Sequence, residues 1–401
     1  MKHFIFRAYI SCVIIATCLS SSLHARDINL DSLYINGDSN LYARLIEKKV
    51  EAYQKAGSQF IDRDVIFSCW GDGNSILYVK ELPRLNVIYS FNRASRRTIE
   101  LFRIQGTITA FKNSASGRYL FIKRLVEGEN SMPRGETQVL DLSAKSAVTL
   151  ESTYPFLDFS VAPGGNTILV ETKDGIAEYF PESGRKVIVL YRKEYADIIQ
   201  AGSPVIAVLS PNRKKIVVAS GSGGAYQGKV ISSGRSWRIP GMTSASELYW
   251  VDNALLVYRK GYAGNFSVHL YDTTTQRSTE LLGNSLNTNI QFSVFPKMIS
   301  FLQDQVIHAY DVRHLENITI GLEGEDVIFS PDGNRFISLY LKKLFVTSVT
   351  TVKSKNIELA KTAKEIIALY RNLLDARGSL ANEYSPEYIR KKISVYSRIA
   401  E

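Results

Sequence analysis

Two of the five histidines in this 401-residue chain share a setting: His269 and His308 each stand two residues before a tyrosine and three before an aspartate. Equivalent imidazoles on neighbouring elements could hold a metal or move a proton. Two of them without a third ligand make a poor zinc site, and Gln138 and Tyr89 fill the matching place in two other segments. The position favours a polar or aromatic side chain in general. We read both histidines as sheet-face residues hydrogen-bonded to an adjacent unit, with a shared metal or acid/base site as the alternative.

Other reactive groups are sparse. The sequence has no Gly-x-Ser-x-Gly elbow, no His-Glu-x-x-His pair and no EF-hand-like acidic loop. Gly221-Ser222-Gly223-Gly224 lies between two strand-like runs, so it lacks the helix N-terminus that lets such loops cradle phosphate. It reads as a hairpin loop. The cysteines are Cys12, Cys18 and Cys69, and Cys69 reads with Trp70 as a packing residue beside a turn. The residues therefore offer no catalytic, cofactor-binding or metal-binding set, and no cofactor is expected.

The elements that carry these residues repeat. Residues 327–337 form a short apolar strand, the turn Ser330-Pro331-Asp332-Gly333 and a second apolar strand. Proline presets φ, Asp332 can bond its own backbone, and Gly333 accepts positive φ. The same shape recurs at 65–77 around Gly73, at 110–121 around Gly117, at 159–170 around Gly165, and at 208–218 around Ser210-Pro211-Asn212-Arg213. Residues 249–257 and 292–302 are degenerate copies. The marked turns sit at 73, 117, 165, 213 and 333, and the two degenerate copies divide the last interval into steps averaging 40 residues. That is the size of a four-stranded propeller blade.

Third strands at 138–143, 269–274 and 308–313 align without gaps and alternate with period two. The expectation is an all-β, seven-bladed β-propeller over 60–352, without helical spacing from 60 to about 350. Its innermost strands at 65–68, 159–162, 208–210 and 327–330 are mostly apolar residues and serines. For ring closure, 27–36 is expected to add an outer strand to the last blade.

Helical patterns flank the repeats. Leu41, Leu45, Ile46, Val50 and Tyr53 predict a helix from 40 to about 56 within an N-terminal segment of 26–59. A helical tail over 353–401 follows the propeller. Ala363, Ile366, Ile367, Tyr370, Leu373 and Leu374 predict its first helix over 357–377, ending at Gly378. Ser385-Pro386-Glu387 starts another, with serine as N-cap and proline in the first turn.

The Ser330-Pro331-Asp332-Gly333 turn with its echo Ser210-Pro211-Asn212 resembles the WD40-like repeat of exported bacterial propellers of the TolB type. The resemblance covers roughly residues 60–350 and implies the fold far more than a role. The chain departs from that type in having one N-terminal helix instead of an α/β domain, and in its helical tail.

Residues 1–25 read as a secretory signal peptide: Lys2 and Arg7 precede an apolar run over 8–19, and a small polar stretch ends at Ala25, the expected cleavage residue. The alternative takes Ile15-Ala16-Thr17-Cys18 as a lipobox with acylation at Cys18. No later stretch is long and apolar enough for a transmembrane helix. Removing 1–25 takes away two basic residues and no acidic ones, leaving 47 basic against 39 acidic, a net charge of +8. Such a field favours anionic neighbours, although the clusters 93–97, 213–215 and 390–392 are short enough to read as solvated faces. Together these features predict a periplasmic or secreted, non-catalytic platform for a protein or cell-envelope polymer, with no nucleic-acid partner. A propeller enzyme of the lactonase or quinoprotein kind is the alternative.

Overall fold

The repeated turns close hairpins. The computed structural model describes residues 39–400 apart from 84, 128–132, 151–158, 201–202, 204, 223–224, 244–247, 263–264, 286, 294–297, 304, 313–315, 355 and 376–385. Seven four-stranded antiparallel sheets follow one another along the chain. These are the blades of a seven-bladed β-propeller: I (65–104), II (107–150), III (159–191), IV (205–239), V (249–285), VI (287–323) and VII (326–348). First strands of successive blades touch, I with II, III with IV, IV with V and VI with VII, so they surround the axis.

Burial follows the alternation. One face of the sheet of blade II packs Leu120 and Ile122 against blade I, while Tyr119 and Phe121 enter the core shared with blade III. The region read as free of helix contains two short 3₁₀ turns, Arg192–Glu194 and Ala196–Ile198. They lie in the connection from blade III to blade IV, and Tyr195 and Ile198 drop from them into the core between those blades.

Ring closure differs from expectation. The outer-strand place beside Lys343–Ser348 is taken by Gln59–Asp62, not by 27–36, which lie outside the described residues. Helix α1 (Ser39–Lys55) leads straight into that strand. Its exit is a Schellman turn: Ser58 N–H donates to Tyr53 O and Gly57 N–H to Gln54 O, each at 2.9 Å, with Gly57 at φ +69°. The strand therefore begins at once, and Ser58 Oγ lies 2.8 Å from Thr347 Oγ1 across the new edge.

After blade VII the chain forms α2 (Val349–Ser354), α3 (Asn356–Asp375) and α4 (Pro386–Ala400). The tail thus includes a short helix that the periodicity did not reveal, and Gly378 and Ser385 lie outside the described residues. Tyr53 of α1, fully buried, stacks on Phe345 with ring centroids 4.3 Å apart. Ala52, Tyr53, Val352 and Leu359 join residues of blades VI and VII in one core. The helices therefore fill the wedge between these two blades, and α3 and α4 pack on each other through Ile366, Tyr370 and Tyr396.

Candidate functional site

Among the described residues, the hairpins between first and second strands open on one face of the ring, the turn face. Buried Ser330 receives the N–H of Arg335 on Oγ and donates its own N–H to the Arg335 carbonyl. Ser210 repeats both bonds with Lys215, and Ser114 with Tyr119. Pro211 and Asp332 occupy these turns as the spacing predicts, and Asp332 Oδ1 accepts from Asn334 N–H. Gly117, Gly165 and Gly333 take the left-handed residue of the hairpin, which in blade IV is Arg213 at φ +62°. Gly73 is not left-handed, because blade I uses a tighter turn closed from Ser75 N–H to Asp72 O. Successive turns touch: Ala115 N–H donates to Gly165 O, and Asn212 N–H to the side chain of Asn253.

These hairpins stitch the inner ring from blade to blade. Trp70 Nε1 donates to Ile328 O and Trp250 Nε1 to Val208 O, both at 3.0 Å, while Asn113 Nδ2 reaches Trp70 O at 2.9 Å. Ser160 Oγ donates to Ala207 O. Cys69, beside Trp70, is buried, and burial pushes its thiol up. It packs in the core between blades I and II with Leu77 and Phe111.

Where the ring opens on the turn face, Arg93 and Arg335 flank the Asp332 carboxylate. Arg93, on the turn between the third and fourth strands of blade I, is only half-buried and lies over the Trp70 ring at 5.9 Å. Among the described residues its Nε is buried without a hydrogen-bond acceptor. Burial first, and then the nearby Arg335 of blade VII, hold the guanidinium below its ordinary value against the opposing pull of Asp332. The 93–97 run is therefore not uniformly solvated. Arg213, in contrast, pairs with buried Glu178, and Lys215 Nζ donates to Thr273 Oγ1 at 2.7 Å.

Two more titratable groups stand on innermost strands. Lys112 of blade II is half-buried, and burial pulls its ammonium down. Asp326 opens the innermost strand of blade VII at the opposite end of the ring. Burial, reinforced by Glu325, raises its carboxyl to about 6, against the opposing bond from Val327 N–H. The expectation of apolar and serine-lined strands missed Lys112. The signal lay inside a recognised repeat, where a lysine replaces the apolar residue two places before the hairpin serine.

The third basic cluster departs furthest from a solvated face. Lys392 is 1% exposed and pairs with buried Glu323 at 2.8 Å, and Lys49 of α1 meets the same carboxylate at 2.7 Å. Lys49 Nζ also donates to Tyr370 Oη at 2.9 Å, and Tyr53 Oη donates to the Glu323 carbonyl. Both lysines hold Glu323 at about 2 against the upward push of burial, while burial brings Lys49 down to about 8. One carboxylate at the end of blade VI thus joins helices from both ends of the described chain, which makes it a structural anchor.

His269 satisfies both ring nitrogens within its own blade, not across to a neighbouring one. His269 hydrogen-bonds Ser267 Oγ at 2.8 Å and Ser278 Oγ at 3.1 Å. His308 lies 3.2 Å from Thr319 Oγ1 and stacks on Phe301. Gln138 makes the same contact, donating to Thr149 Oγ1 at 3.2 Å, so each of the three reaches a hydroxyl on its fourth strand. Among the described residues no three of His, Cys, Asp and Glu are grouped to hold a metal, and no helix is long and apolar enough to cross a membrane. His314, Ala25 and Cys18 lie outside the described residues.

Solved structures share the architecture. An oligogalacturonate lyase in complex with manganese superposes with a TM-score of 0.51 over 74% of this chain and 92% of its own, at 9% identity. The likeness is one of fold. The tricorn protease gives 0.49 at 11% identity, over 83% of this chain and 37% of its own. TolB from Acinetobacter baumannii gives 0.37 at 16% identity, over 55% of this chain and 56% of its own. No protein-family model matches the chain, and no curated protein does.

Proposed function

We propose that this chain is a non-catalytic, exported binding propeller whose turn face receives an anionic partner, a protein segment or an envelope polymer. Arg93 carries the reading. Its guanidinium is held over Trp70 with Nε buried and lacking an acceptor, beside a second arginine, Arg335. A buried donor left without a partner costs ~1–3 kcal/mol, and the Arg335 charge adds to that beyond what Asp332 offsets. An incoming carboxylate or sulfate relieves both, and Arg binds such groups through paired donors. The basic balance of the chain steers the encounter.

The test is titration of the purified protein with polyglutamate and polygalacturonate at low and high salt, followed by tryptophan fluorescence. Binding that weakens with salt and falls at least tenfold in the double variant R93Q/R335Q supports the platform. Salt-insensitive or absent binding counts against it. The enzyme alternative draws support from Asp326, since a carboxyl raised to about 6 suits a general acid. Shortening of either polymer during the titration, lost in D326N, would replace the platform with that reading.

A further inference from the structure

Lys112 stands two residues before the hairpin serine Ser114, as Val208 stands before Ser210 and Ile328 before Ser330. Three blades thus set Lys112, Val208 and Ile328 at one level of the inner ring, and all three are partly exposed. An innermost strand lies between the second strand of its blade and the axis, so the solvent reached there is that of the channel. Among the described residues the Lys112 ammonium has no hydrogen-bond or ion-pair partner, and burial is the sole influence lowering its proton affinity. Cations so placed are poorly hydrated, and their attraction for an incoming anion is weakly screened.

The ligand class follows from the donor. A single ammonium without an ion-pair partner among the described residues matches one monoanionic group. A phosphate, with more charge and three acceptor oxygens, needs further donors. We propose that Lys112 is the anchoring cation for a carboxylate that enters the channel from the turn face. This deepens the platform reading by naming the group of the partner that is gripped and the residue that grips it.

Reductive methylation with ¹³C-formaldehyde labels the lysines without removing their charge, and K112R assigns the Lys112 resonance by its disappearance. K112Q assigns it if the arginine variant does not fold. The expected result is a resonance that titrates at lower pH than those of surface lysines and shifts on adding millimolar butyrate. Butyrate also raises its midpoint, because the bound anion favours the charged amine, while neutral butyramide leaves it unmoved. Failure to label Lys112 in the folded chain, indifference to butyrate, or an equal response to butyramide would overturn the proposal. Butyrate is read without any polymer. A chain that ignores polyglutamate yet responds at Lys112 fails the platform reading and keeps this one.

Discussion

Trp70 and Trp250, in blades I and V, make the same bond: each indole N–H donates to the carbonyl of the equivalent residue in the preceding blade, Ile328 or Val208, at 3.0 Å. Because Trp70 reaches from blade I to blade VII, one member of the pair spans the seam where the ring closes. Replacing either by phenylalanine keeps most of the apolar contact and removes the donor, leaving a carbonyl at the inner ring unmatched. W70F and W250F should each lose ~1–2 kcal/mol in urea-induced unfolding. A loss confined to one of them would show that the bonds are not equivalent.

Gly57 is under two separate constraints. Its φ of +69° disfavours a side chain, and a Cβ built there would lie 2.8 Å from Thr351 Cγ2 of α2. G57A should therefore cost more than the ~1 kcal/mol typical of a left-handed glycine alone. T351S, which removes the methyl, should recover part of the loss when combined with G57A. Thermal melts of the three variants check this ordering.

The charge cluster at Glu323 predicts an asymmetry. E323Q leaves two ammonium groups in a buried site and should destabilise by ~3–5 kcal/mol. K49M leaves the Glu323–Lys392 pair in place, so its cost should be well below that of E323Q. The pH dependence has a definite sign. Glu323 is held at about 2, below its ordinary 4.5, so its contribution is present above pH 4.5 and is lost as pH falls toward 2. Lys49 is brought from 10.5 to about 8, so the folded state binds fewer protons in that interval and stability rises from pH 8 toward 10.5. Urea midpoints across pH, compared between the wild-type chain and each variant, measure both limbs.

H269Q and H308Q should change stability by less than ~1 kcal/mol and leave polyglutamate binding intact. Glutamine already bridges to a fourth-strand hydroxyl at Gln138, and it can supply either a donor or an acceptor. Stoichiometric metal in the purified protein that disappears in both variants would assign the histidines to a real metal site instead.

Expression with the full N-terminus should yield a chain beginning at Arg26, as cleavage after Ala25 requires. Intact-mass measurement distinguishes this from a lipid-modified chain starting at Cys18.

The blades were legible because their chemistry is local. Ser330-Pro331-Asp332-Gly333 and Ser210-Pro211-Asn212 announce hairpins within a few residues, and the spacing of such turns sets the blade count. Ring closure was not legible for the converse reason. Gln59–Asp62 is four residues of weak alternation, and the strand it joins is Lys343–Ser348, nearly the whole propeller away. The site was half visible. Lys112 sits in a recognised copy, but a repeat is traced by its apolar residues, and the exception is the informative one. Arg93 and Lys392 belong to basic runs, and the charge of a run does not say which side chain turns inward.

Blade VII is assembled from three late strands and one early strand, so its last ladder cannot form until residues 343–348 have been made. The other six blades are each contiguous in sequence and can be built locally. Seam formation therefore carries the loop-closure entropy of the entire propeller and belongs to the slow end of folding. A chain interrupted before that point retains an open edge on the strand at Gln59–Asp62. For this architecture, the interval between synthesis and closure is the period most exposed to intermolecular strand pairing.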